Sequence, residues 1–104
     1  MFDVKRVPTH PGEILEEEFR KPLRISQSKL AKELNTIFRT INEIINKKRS
    51  VSTEMAIKLS RYFGTSEELW LNLQNQYDLY MVKQKKQKFL QHIKSYRELH
   101  REAV

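Results

Sequence analysis

Residues 25–46 read ISQSKLAKELNTIFRTINEIIN, and this stretch decides the fold. Ser26 is placed to cap a helix, with Ile25 and Leu30 spaced as a hydrophobic staple across its first turn. Leu30, Ala31 and Leu34 then form one apolar stripe. Asn35 follows, one of the few residues besides glycine that tolerates the left-handed backbone of a tight turn. Helical spacing resumes at Ile41, Ile44 and Ile45.

Three or four residues join the two helices, the length of a helix-turn-helix connection. Ala31 is small where the helices must approach, Asn35 sits at the turn, and Ile41 and Ile44 seat the second helix. An ordinary helical hairpin meets one of these demands, while a helix-turn-helix meets all three. In that motif the second helix lies in the major groove and its N-terminal side chains meet base edges.

The outward positions are Phe38, Arg39, Thr40, Asn42 and Glu43. Arg39 suits a guanine and Asn42 an adenine, each by paired hydrogen bonds. Thr40 suits a thymine methyl or a phosphate. Glu43 either accepts from cytosine or repels phosphate. Phe38 offers only apolar contact, to a thymine methyl or to a neighbouring helix. Gln27 is placed for a phosphate, and Lys47, Lys48 and Arg49 follow as a basic loop for the DNA backbone or for solvent.

Helical punctuation continues on both sides. In HPGEILEEEF, Pro11 fits a first helical position, and Glu13, Glu16, Glu17 and Glu18 suit the positive end of the helix dipole. Pro22 is expected to end that helix. Downstream, Ser52 caps VSTEMAIKLSRYFG and Gly64 closes it. In TSEELWLNLQNQY, Thr65 and Glu68 have capping-box spacing. No alternating run bounded by turn residues suggests a strand. After Asp78 the chain has neither Gly nor Pro, and Val82, Phe89, Ile93 and Tyr96 approximate a helical stripe. The tail either continues the fifth helix or breaks from it near Asp78.

The 104 residues predict a helix-turn-helix domain at 1–80 and a basic helical extension at 81–104. The net charge is +7, with seven basic and two acidic residues in each of the segments 24–50 and 81–104. Two basic blocks separated by a mildly acidic one are the footprint of a polyanion binder. With no cysteine there is no disulfide or thiolate metal site, which suits a reducing cytoplasm. No apolar run is long enough for a membrane span, and a membrane-surface role for the tail is disfavoured by its sparse apolar stripe. His10, His92 and His100 lie far apart, and no metal-binding, nucleophile or phosphate-loop motif accompanies them. No catalytic residue, metal ligand or cofactor is therefore expected.

The succession HPGEILEEEF, ISQSKLAKEL and NKKRSVSTEMAIKLSRYFGTSEELWLNLQNQYDL closely resembles the HigA antitoxins of the Xre/Cro–C1 helix-turn-helix family, over roughly residues 8 to 80. The resemblance implies an all-α, five-helix, lambda-repressor-like domain and a homodimer. It also implies binding to palindromic double-stranded operator DNA and a HigB-type, messenger-RNA-cleaving toxin as partner. A stand-alone repressor and a protein-interaction module with weakened DNA binding are the alternatives. Relatives usually carry glycine in the turn, then a small hydroxyl cap and a polar residue. Here Asn35, Ile37 and Phe38 occupy those places, which moves the expected cap to Thr36. Leu79, Phe89, Ile93 and Tyr96 either pair across a two-fold axis or pack back on the protomer's own core.

Overall fold

A computed structural model describes residues 7–101. The expected domain limits at residues 1 and 104 lie outside that range. The described residues form six helices and no strand.

Helix α1 is continuous through Pro11–Ile14, Leu15–Arg20 and Lys21–Leu23. Its middle section is π-helical, and the Lys21 N–H reaches back five residues to the Glu16 carbonyl. Pro22 explains the wider turn. It has no N–H to donate and its ring crowds the preceding turn, so the backbone opens to admit it. The proline therefore lies inside the helix. The helix stops two residues later, where Arg24 turns left-handed at φ 58°. Arg24 N–H bonds to Lys21 O and Ile25 N–H to Arg20 O, the double closure of a Schellman turn. Arg20 braces this turn by donating to the Ile25 carbonyl at 3.0 Å.

Helix α2 spans Gln27–Glu33, α3 Phe38–Ile45, α4 Thr53–Phe63 and α5 Glu67–Leu90. Ser26 and Ser52 cap α2 and α4 as expected, accepting from Lys29 and Met55 N–H. Two other caps differ from expectation. Ser66, not Thr65, caps α5, because the Thr65 hydroxyl accepts from the Trp70 indole at 2.8 Å. Thr36 does not cap α3 either. Ile37 occupies the cap position and has no oxygen to offer.

The core comprises Leu15, Leu30, Ala31, Leu34, Ile41, Ile44, Val51, Met55, Ala56, Leu59 and Trp70. Phe19 bridges it to Phe63 and Trp70, with ring centroids 4.6 and 5.5 Å away. One buried polar contact holds the far corner. Gln74 accepts from the Val51 N–H at 2.8 Å and donates to Asp78 at 2.9 Å. That satisfies a backbone donor which α4 leaves open just before its start.

Helix α5 runs through residues 80 and 81 without a break near Asp78; its one departure from helical geometry is at Lys86 (φ −116°, ψ 22°). From Val82 to Arg101 every side chain is exposed. The short α6, Tyr96–Leu99, closes this arm with a Ser95–Glu98 capping box. The arm explains the elongation. The molecule measures 62 × 26 × 26 Å with a radius of gyration of 18.2 Å, against about 13 Å for a compact chain of this length.

Candidate nucleic-acid interface

The connection between α2 and α3 is closed by two backbone bonds, Asn35 N–H to Lys32 O and Thr36 N–H to Ala31 O. Asn35 adopts the left-handed conformation, at φ 56°. Helix α4 then secures the turn from behind. Lys58 donates to the Asn35 carbonyl at 3.1 Å, and the Tyr62 hydroxyl bonds to the Glu33 carboxylate. Neither contact is visible in the sequence, where each pair lies more than twenty residues apart.

Helix α3 is seated by Ile41 and Ile44, both fully buried. Its other anchor is α1. A methyl group built on Gly12 would stand 1.9 Å from the Ile44 carbonyl oxygen, so only glycine admits this crossing. His10 begins α1 by accepting from the Gly12 N–H at 2.8 Å, and its ring meets Tyr77 edge-on. Burial first, then the nearby Lys47 charge, hold the His10 imidazole below its ordinary pKa, while Asp78 opposes them.

Across the motif, the Asn42 amide donates to the Gln27 side-chain oxygen at 3.0 Å. Asn42 also accepts from Asn46 at 3.2 Å. The two residues expected at an adenine and at a phosphate thus touch each other, and each keeps an amide N–H to present outward.

The remaining outward positions are accessible. Ile37 and Phe38 expose 64% and 50% of their surface, so Phe38 is not covered by a neighbouring helix of its own protomer. Thr40 is half-buried beside them. Arg39 donates through Nε to Glu43 Oε2 at 3.0 Å, and Arg49 donates to Glu43 Oε1 at 2.9 Å through its own Nε. Those hydrogen bonds, from Arg39 first and Arg49 second, hold the Glu43 carboxyl below the usual carboxylate range. The Arg39–Glu43 pair was missed in the sequence, although its i, i+4 spacing is a local signal for it, and nothing local points to Arg49.

The basic loop begins at Lys47, left-handed at φ 63°, whose ammonium lies 3.6 Å from Glu13. Lys48 is exposed and has no ion-pair partner among the described residues. Leu79, Phe89, Ile93 and Tyr96 are far from this face along the chain, and all four are exposed rather than packed on the core. Tyr96 stacks on His100 at 4.4 Å. Among the described residues no group of acidic and imidazole side chains could hold a metal, and no helix is long and apolar enough to cross a membrane.

The family described as Helix-turn-helix (HTH_3) matches residues 17–70. Virulence-associated protein I of Dichelobacter nodosus is 47% identical over 75% of this chain and 72% of its own length. Antitoxin HigA-1 of Vibrio cholerae is 32% identical over 90% of this chain and 89% of its own. Among solved structures, the Pseudomonas aeruginosa antitoxin HigA with the higBA promoter superposes with a TM-score of 0.80. It is 40% identical, covering 86% of this chain and 97% of that one.

Proposed function

The chain belongs to the HigA-type antitoxins of the Xre helix-turn-helix family, not an enzyme family, and on that premise we propose that it represses its own operon as a cytoplasmic dimer and neutralises a HigB-type toxin. The observation that carries the DNA-binding part is the outward first turn of α3. Phe38 and Arg39 protrude, with Thr40 half-buried beside them, from a helix immobilised by Ile41, Ile44 and the Gln27–Asn42 bond. That combination suits base reading, because a fixed backbone aims the exposed side chains at base edges and lowers the ordering cost of binding. Arg39 is the guanine reader, Phe38 and Thr40 meet thymine methyls or a phosphate, and Asn42 offers its remaining N–H. Gln27, Lys48 and Arg49 meet the phosphate backbone, with Lys47 beside them.

Dimerisation is assigned to α5 and the arm. Leu79, Phe89, Ile93 and Tyr96 bury little within the protomer, and large apolar side chains left in water favour a partner. Two copies related by a two-fold axis place their α3 helices about 34 Å apart on a symmetric site.

A gel shift on the DNA upstream of the gene tests repression. Binding is expected to weaken steeply with salt, as phosphate contacts release counterions. No shift at low salt would leave the interaction-module reading instead. Co-expression with the neighbouring gene tests the antitoxin role: the neighbour alone stops growth, and the pair co-purifies. Sedimentation tests the dimer, which Phe89→Ser with Ile93→Ser converts to a folded monomer.

A further inference from the structure

We propose that Glu43 reads no base but is a positioning residue that sets the Arg39 guanidinium for base recognition and ties the basic loop to the same helix through Arg49. This rests on α3 being the DNA-reading helix.

Three observations support it. Arg39 uses only Nε on Glu43 Oε2, at 3.0 Å. The four N–H groups on its two terminal nitrogens stay available, and a guanine takes two of them at O6 and N7. The exposures differ in the right sense, with the Arg39 side chain 77% accessible and that of Glu43 24%. The carboxylate therefore lies beneath and the guanidinium above. Arg49 approaches the other oxygen, with Nη2 at 2.6 Å and Nε at 2.9 Å. Each carboxylate oxygen thus already has an arginine partner, and a bond from cytosine would have to share an oxygen that holds Arg39 or Arg49 in place.

The physical consequence is pre-organisation. A free arginine samples many rotamers, and ordering it on binding costs affinity. Glu43 reduces that cost for Arg39, at the residue that discriminates, and for Arg49, six residues after Glu43. A carboxylate at a phosphate-rich surface also repels non-specific DNA. Affinity for every sequence falls, and the preferred site loses least.

The test is selection from a pool of randomised duplexes with the full chain, followed by affinity against salt on the enriched site. Wild type enriches a motif, and Arg39→Ala flattens one guanine position in it. Glu43→Gln is expected to weaken the preference at that same position by roughly three- to tenfold, to tighten binding to unrelated duplex, and to leave the unfolding midpoint near wild type. Glu43→Asp keeps the charge but withdraws it by one methylene. It should lose the preference as Gln does while keeping the wild-type salt slope. A Glu43→Gln motif identical to wild type, or a sharper one, overturns the proposal; sharper would mean that Glu43 withholds Arg39 from DNA. If wild type enriches no motif at all, the DNA-reading premise has failed, and that outcome is distinct from a failure at Glu43.

Discussion

Asn42, on α3, donates its side-chain amide to Gln27, on α2, across a gap of 3.0 Å. This bond joins the first residue of one helix of the motif to the middle of the other. It makes the angle between them a property of two side chains as well as of the core. A double-mutant cycle with Gln27→Ala and Asn42→Ala should return a coupling of about 1 kcal/mol in chemical denaturation, the worth of a partly buried neutral hydrogen bond. A coupling near zero would mean that the apolar seat alone fixes the angle.

The two glycines should respond differently to alanine. At Gly12 the new methyl meets the Ile44 carbonyl at 1.9 Å, so α1 must part from α3. Gly12→Ala should cost roughly 3 kcal/mol or more, at the upper end of overpacking effects. At Gly64 there is open space, but φ is +74°. Gly64→Ala should cost only about 1 kcal/mol, from the left-handed backbone. Urea titration of both variants checks the order.

Helix α3 starts at Ile37 without a side-chain cap. Ile37 is largely exposed, so replacing it sacrifices little burial. Ile37→Ser should stabilise the free protein by about 1 kcal/mol, by supplying an acceptor to the first turn. A rise in the thermal midpoint checks this. A fall would show that Ile37 packs more than its exposure implies.

His10 gives stability a pH dependence. Its folded pKa is depressed below 6.5, chiefly by burial. The unfolded chain therefore binds this proton more readily than the folded one. The contribution of the neutral imidazole is complete above pH 6.5 and is lost as pH falls from there through the folded pKa. Protonating Nδ1 also removes the acceptor that caps Gly12. His10→Asn keeps an acceptor but does not titrate. Its thermal midpoint should fall less than that of wild type between pH 8 and pH 5, measured by circular dichroism at matched ionic strength.

Much of the fold was legible in the chain because its helices carry local signals. Ser26, Ser52, Asn35 and Gly64 act through neighbours within a few residues, and each does what its position announces. The apolar spacing of Leu30, Ala31, Leu34, Ile41 and Ile44 likewise marked the buried faces. Local reasoning failed where a better partner competed. Thr65 was drawn from capping to the Trp70 indole. Pro22 was absorbed by a widened turn instead of ending the helix.

The sequence by itself determined where α2, α3 and α4 lie and which residues of α3 stay off the core, since both follow from periodicity and capping over one or two turns. The tertiary structure alone decided what those residues touch. Gly12 against Ile44, Gln74 beneath Val51, Lys58 behind Asn35 and Arg49 on Glu43 are meetings between different segments. Such contacts depend on how helices cross, and a crossing is set by the summed packing of the whole core, which no local pattern encodes.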